Sequence, residues 1–107
     1  MVSQGDIIMV DLDPQAGHEQ KGRRPALVVS NNSFNRYSSM YMICPITTTN
    51  KKHAFHILLD DRTNTRGVIL CDQARVLDIK ARNYEFIERL PRDILEKAKN
   101  LLIGFIE

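Results

Sequence analysis

The spacing of apolar residues changes once along the 107-residue chain, close to Pro91, and this change constrains the fold more than any other feature. Before Pro91 the apolar residues stand in short runs separated by polar turns, a pattern typical of β-strands. The predicted strands cover residues 6–12, 25–30, 41–46, 53–59, 68–77 and 86–90. The fifth run fits either one extended strand or two short ones, and Pro45 in the third run predicts a bulge or a sheet edge there.

After Pro91 the apolar residues recur at the spacing of an amphipathic helix. They are Ile94, Ala98, Leu101, Leu102 and Phe105. Pro91 suits the start of a helix, and Asp93 complements the positive end of its dipole. We also expect single helical turns within residues 31–39 and 79–83. Many short strands followed by one helix predict a single domain over residues 1–107, mainly β, in which the helix packs against a small barrel.

Composition sets the class of protein. Hydrophobic residues make up 43% of the chain and charged residues 26%, which suits a folded domain with one core. There is no apolar run of about 18 residues and no recognisable leader, so we expect a cytoplasmic protein without a membrane span. Cys44 and Cys71 lie in apolar runs, and we expect buried free thiols rather than a disulfide.

Charge is distributed unevenly, although the net charge is only +2. Glu19 is the only acidic residue between Pro14 and His56. The same stretch contains the basic residues Lys21, Arg23, Arg24, Arg36, Lys51 and Lys52. An electropositive face of this kind attracts a polyanion, but charge alone does not separate that interpretation from a solvated basic surface.

Three polar stretches could carry chemistry, at residues 17–25, 45–48 and 71–75. Arg24 precedes a predicted strand, and a guanidinium offers a planar fork of donors that matches a phosphate. Thr47 stands where a strand ends, and its hydroxyl can donate to a phosphate oxygen. In one extended strand Asp72 points to one face, and Gln73 and Arg75 point to the other, unless a bulge intervenes. Each of these residues also has an ordinary structural explanation.

Metal or cofactor chemistry has little support in the sequence. His53 and His56 are three residues apart in a predicted strand, which sends their side chains to opposite faces. No cysteine and histidine cluster has the spacing of a zinc site, and neither a phosphate loop nor a dinucleotide fingerprint occurs. We therefore expect neither a metal nor an organic cofactor.

The three stretches, in this order and spacing, resemble the MazF/PemK/Kid family of toxins from type II toxin–antitoxin pairs, and the resemblance covers essentially the whole chain. The matching segments are Gly5-Asp6-Ile7, Asp11-Leu12-Asp13-Pro14, Gly17-His18-Glu19-Gln20, Arg24-Pro25-Ala26-Leu27-Val28, Asn35, Pro45-Ile46-Thr47, Gly67-Val68, Asp72-Gln73 and Arg75. The resemblance implies an SH3-like barrel of the CcdB/PemK type and a homodimer. It also implies metal-independent, sequence-specific cleavage of single-stranded RNA, including mRNA, and a cognate antitoxin that blocks the RNA site.

The resemblance also implies roles for individual residues. Arg24 matches the residue that stabilises charge on the phosphate, and Thr47 matches a second donor. Asp72 and His18 are candidates for proton transfer, as is Glu19. Expected RNA contacts are Glu19, Gln20, Lys21, Arg23, Asn31, Thr48, Gln73 and Arg75.

The chain departs from the Kid-like branch at one position. Kid-like members have a catalytic arginine two residues before the aspartate that matches Asp72, and this chain has Leu70 there. The difference favours a site centred on Arg24 and Thr47 over an arginine–aspartate pair.

Two other functions fit a barrel of this kind. A CcdB-like gyrase poison binds its target without cutting RNA, but that type ends in Trp-Gly-Ile, whereas this chain has no tryptophan and ends in Gly104-Phe105-Ile106-Glu107. A non-catalytic SH3-like RNA-binding module would explain the basic stretch, but it would not require the matched pair of Arg24 and Thr47.

Overall fold

The computed structural model describes residues 1–13, 22–49 and 54–107. The strands are β1 (Asp6–Asp11), β2 (Arg23–Val28), β3 (Tyr41–Thr47), β4 (His56–Leu58), β5 (Val68–Leu70), β6 (Arg75–Leu77) and β7 (Glu85–Arg89). The helices are α1 (Asn32–Ser38) and α2 (Arg92–Gly104), and two short 3₁₀ turns cover Cys71–Gln73 and Ile79–Ala81. No helix in the described ranges is long and apolar enough to cross a membrane.

All seven strands belong to one antiparallel sheet. Its order is β4-β5-β3-β2-β1-β7, and β6 pairs with β3 beside β5. The prediction of a mainly β domain with a C-terminal helix is confirmed. Because the pairings among the described strands do not join β4 to β7, the barrel is an open one.

Strand β2 and helix α1 differ from their predicted extents. β2 begins at Arg23 rather than at Pro25, since Val10 and Asp11 of β1 pair with Arg24 and Arg23. Arg24 is therefore part of the sheet and not of the loop before it. The helix within residues 31–39 is also longer than the single turn expected, because α1 has seven residues.

β3 is central in the sheet, so the prediction of an edge at Pro45 is wrong. On one side β3 pairs with β2, where Pro45 lies opposite Ala26. On the other side its start pairs with β6 and its end pairs with β5. Pro45 lies between these two paired segments, where the strand needs no continuous ladder of N–H donors.

Each face of the sheet is buried by a separate apolar cluster. On one face, β-strand residues such as Ile7, Leu27 and Ile69 pack with Ile94 and Ala98 of α2. The other face contains Ile8, Val10, Ala26, Val28, Ile43, Leu77 and Ile79, and we call it the site face. The apolar pattern on both sides of β1 is thus explained within the chain itself. The predicted helix is confirmed, although Phe105 is 44% exposed and meets Phe55 only edge to face.

Cys44 and Cys71 are buried free thiols, as predicted. Both belong to the cluster that packs against α2. Extending the β3–β5 register, in which Ile46 lies opposite Ile69, brings the two cysteines opposite each other. A hydrogen bond with the Cys71 thiol and burial raise the pKa of Cys44, so Cys44 is a protonated core residue.

Candidate active site

Arg24 and Thr47 are brought together by the register of β2 and β3. Ala26 pairs with Pro45 and Leu27 with Cys44, and extending this register by two residues puts Arg24 opposite Thr47. Side chains of opposing residues share a face, with Cβ atoms about 5 Å apart. Arg24 is half-buried and Thr47 is 7% exposed. The two residues expected to contact a phosphate therefore stand side by side at the end of the site face.

Thr47 has a hydroxyl that is oriented by its own chain. Its Oγ1 accepts a hydrogen bond from the N–H of Thr49 at 3.3 Å. A hydroxyl that accepts through a lone pair keeps its hydrogen available to donate to another group. Thr48, which follows, is exposed.

Gly67 supports the position of Thr47 from the neighbouring strand. Val68 of β5 pairs with Thr47, and Gly67 has a positive φ of 115°. A β-carbon added at Gly67 would overlap the carbonyl oxygen of Thr47. Only glycine combines this backbone angle with so close an approach.

Gly67→Ala is therefore expected to displace Thr47 and to lower RNA-cleaving activity. The strained backbone costs about 1–3 kcal/mol of stability. Thermal unfolding and a cleavage assay, run beside Arg66→Ala at the exposed neighbouring position, would measure both effects. A Gly67→Ala protein with wild-type stability and activity would show that this close approach is not needed.

A third group on the site face is the pair formed by His56 and Asp72. His56 of β4 lies opposite Leu70, and Leu58 lies opposite Val68, which in turn pairs with Thr47. Because alternate residues of a strand share a face, His56 is on the same face as Thr47. The Nε2 atom of His56 is 3.3 Å from Oδ1 of Asp72.

Asp72 was predicted as a site residue, whereas His56 was considered only as a metal ligand. Asp72 lies in the 3₁₀ turn Cys71–Gln73, so the expected alternation between Asp72 and Gln73 along one strand is wrong. Asp72 contacts the side chain of His56 on β4. His56 lies opposite Leu70, the position where Kid-like members have an arginine. The available sequence signal was a histidine alternating with the apolar residues Phe55 and Ile57.

Arg75 lies on the site face, and Gln73 is in the 3₁₀ turn before it. Arg75 of β6 lies opposite Ile43, and Ile43 alternates with Pro45 and Thr47 along the site face of β3. Both Arg75 and Gln73 are half-buried.

Arg23 and Asn31 do not join this group. Arg23 is next to Arg24 and so points to the opposite face, where it forms ion pairs with Asp11 at 3.5 Å and Glu85 at 3.0 Å. Asn31 lies beyond the other end of β2, where its Oδ1 caps α1 by accepting from the N–H of Phe34 at 2.8 Å. Their contacts with RNA stay predictions.

The remaining expected site residues, His18, Glu19, Gln20 and Lys21, lie outside the described residues. Within the described ranges, no group of three or more histidine, cysteine, aspartate or glutamate side chains could hold a metal ion.

Comparison with known proteins identifies one family. A family model described as "PemK-like, MazF-like toxin of type II toxin-antitoxin system" matches residues 3–106. Endoribonuclease PemK of Escherichia coli is 39% identical over 101 residues, which are 91% of this chain and 76% of PemK. Endoribonuclease toxin MazF of Escherichia coli strain K12 is 38% identical over 103 residues, which are 94% of this chain and 92% of MazF.

Solved structures agree with the sequence matches. The crystal structure of MazF from Deinococcus radiodurans superposes with a TM-score of 0.92 at 34% identity, covering 98% of this chain and 96% of that one. A MazE–MazF crystal structure from the same organism gives a TM-score of 0.85 at 34% identity, covering 98% of this chain and 95% of that one.

Proposed function

The chain belongs to the PemK-like, MazF-like toxins of type II toxin–antitoxin systems, and on that premise we propose a mechanism in which Arg24 and Thr47 stabilise the transition state of RNA cleavage. The protein is a toxin with endoribonuclease activity. The substrate is single-stranded RNA, whose unpaired bases expose the edges that side chains can read in sequence-specific recognition.

The reaction is an internal transfer of the phosphodiester. The ribose 2′-oxygen forms a bond to the neighbouring phosphorus, and the bond from phosphorus to the 5′-oxygen breaks. The 2′-hydroxyl loses its proton to a general base, and the 5′-oxygen takes a proton from a general acid, either a side chain or water. The products are a 2′,3′-cyclic phosphate and a 5′-hydroxyl, and no metal enters any step.

Arg24 and Thr47 supply hydrogen bonds to the charge that grows on the phosphate oxygens. A guanidinium makes two-point, charge-assisted contacts with such oxygens, and the Thr47 hydroxyl adds a donor beside it. Preorganised donors of this kind contribute about 3–4 kcal/mol each to transition-state stabilisation. The observation that carries the proposal is the β2–β3 register, whose extension by two residues beyond Ala26 and Pro45 brings Arg24 opposite Thr47.

Proton transfer needs a group with suitable acidity, and an arginine is a poor base because its pKa is above about 12. Asp72 is the candidate base on the described site face, where its side chain is 36% exposed. His18 and Glu19 are further candidates. Thr48, Gln73 and Arg75 are proposed to contact RNA next to the scissile phosphate.

The partners are proposed to be a cognate antitoxin and a second copy of the chain. The relative from Deinococcus radiodurans was crystallised as a MazE–MazF pair. An apolar groove of about 370 Å³ in this chain, between α1 and α2, is lined by Val29, Phe34, Met42, Leu102 and Ile103 among others and suits a protein contact. The system is proposed to act in the cytoplasm, where mRNA is available.

The test is to map the ends made on a long unstructured RNA by protein freed of its antitoxin. Cleavage is expected to persist in excess EDTA and to leave 5′-hydroxyl and 2′,3′-cyclic phosphate ends at a short recurrent sequence. Loss of activity that magnesium restores, or 5′-phosphate ends, would contradict the mechanism. A parallel supercoiling assay separates the gyrase-poison alternative, which predicts intact RNA and inhibited gyrase.

A further inference from the structure

His56 is a buried polar residue that the mechanism above does not use. Its side chain is only 10% exposed, on a strand whose other residues, Ile57 and Leu58, are apolar. Burying an imidazole among apolar groups is unfavourable unless the ring makes a polar contact. The partner of its Nε2 atom is Oδ1 of Asp72, 3.3 Å away.

The Asp72 carboxylate contacts His56 on one side and is exposed to solvent on the other. Its side chain is 36% exposed, so the part that does not face His56 is accessible from solvent. Asp72 lies in a 3₁₀ turn of three residues. The contact from His56 on the adjacent strand β4 limits the directions that the carboxylate can take.

The same face contains the phosphate-binding pair. One strand, β5, separates β4 from β3. His56 pairs with Leu70 and Thr47 pairs with Val68, so the two residues are separated by two strand spacings of about 4.8 Å and by two residues along β5, or about 12 Å. Asp72 follows β5, the strand between β4 and β3, two residues beyond the Leu70 that pairs with His56.

We propose that His56 is a positioning residue, which donates its Nε2–H to Asp72 and aims this carboxylate at the 2′-hydroxyl of the bound RNA. This inference rests on the proposed function, in which Asp72 is the candidate base on the described site face. In the reaction Asp72 takes the 2′-hydroxyl proton as the bond from the 2′-oxygen to phosphorus forms. The protonated carboxyl then returns that proton to solvent, to which it is exposed.

A double-mutant cycle tests the assignment. Asp72→Asn is expected to lower kcat by about 100-fold or more, as for loss of a general base. His56→Leu is expected to lower kcat by about tenfold or more with little change in KM, since a misaligned base acts on the transition state. The double variant is expected to be no slower than Asp72→Asn alone, because His56 acts only through Asp72. His56→Gln, which retains an N–H donor, is expected to recover most of the kcat lost in His56→Leu.

Leu58→Ala is the matched control, since Leu58 is on the same strand and face but is 63% exposed and makes no polar contact through its side chain. It is expected to cleave RNA like the wild type. Additive losses in the double variant, or equal losses in His56→Gln and His56→Leu, would overturn the inference and leave the proposed function intact. A fully active Asp72→Asn would overturn the inference and remove Asp72 from the candidate bases, leaving His18 and Glu19. A wild-type protein that leaves RNA uncut would refute the proposed function first. Thermal unfolding identifies any variant that loses activity because it misfolds. The variants that remain folded then test whether His56 acts through Asp72.

Discussion

Arg24→Ala is expected to lower the rate of RNA cleavage by about 100- to 1,000-fold while the protein remains folded. Arg24 lies on the site face opposite Thr47, at the end of the sheet, where its guanidinium can meet charge that exists only in the transition state. The loss should therefore appear in kcat more than in KM. Single-turnover cleavage of a short RNA that contains the mapped site would measure it.

Two further variants, Arg24→Lys and Arg23→Ala, test whether the effect depends on the guanidinium of Arg24. Arg24→Lys retains the charge but loses the two-point fork, so an intermediate rate is expected. Arg23→Ala removes the adjacent arginine, which pairs with Asp11 and Glu85 on the opposite face, and it should affect KM rather than kcat. If Arg24→Ala were folded and cut RNA at the wild-type rate, Arg24 would have no place in the chemistry.

Ending the chain at Leu90 is expected to abolish cooperative folding. Ile94, Leu95 and Ala98 of α2 are buried in the cluster that covers one face of the sheet, and Leu101 and Leu102 pack against it. Burial of one large aliphatic side chain contributes about 1.5–3 kcal/mol, whereas the whole stability of a domain is about 5–15 kcal/mol. Removing the helix therefore eliminates most of the margin and exposes an apolar face that favours aggregation.

Circular dichroism and gel filtration of residues 1–90 would measure this loss of structure. A chain ending at Phe105 is the control, since Ile106 is 88% exposed and its removal should leave the melting temperature nearly unchanged. The helix is also linked to the loop before β5, because Arg62 pairs with both Asp60 and Asp93 at 2.8 Å. The hydrogen bonds that Arg62 donates lower the pKa of Asp60 and of Asp93. A soluble fragment of residues 1–90 that unfolds cooperatively would show that the helix is not part of the core.

Local patterns were sufficient where the signal lies within one element. The helical spacing after Pro91 predicted α2, because residues three and four apart share a helix face whatever lies against it. The short apolar runs predicted the strands because each run and the polar turns at its ends lie within one segment of the chain. The ends of some strands could not be predicted in this way, since β2 gains Arg23 and Arg24 only through pairing with β1.

Other features depend on which strands become neighbours. The run at residues 68–77 divides into β5 and β6 around a 3₁₀ turn, and both parts pair with β3. That turn moves Asp72 out of the alternation expected of an extended strand. It also brings Asp72 to His56, a residue 16 positions earlier that no local pattern connects with it.

The amino-acid sequence by itself determined the elements of this protein, its family, and the candidate residues Arg24 and Thr47, because periodicity and motif spacing are properties of the chain. Only the tertiary structure decided which of two adjacent arginines faces the site, and which side chain holds Asp72. The physical reason is that a strand exposes two equivalent faces, and hydrogen-bonded pairing with its neighbours determines which one is turned toward the site.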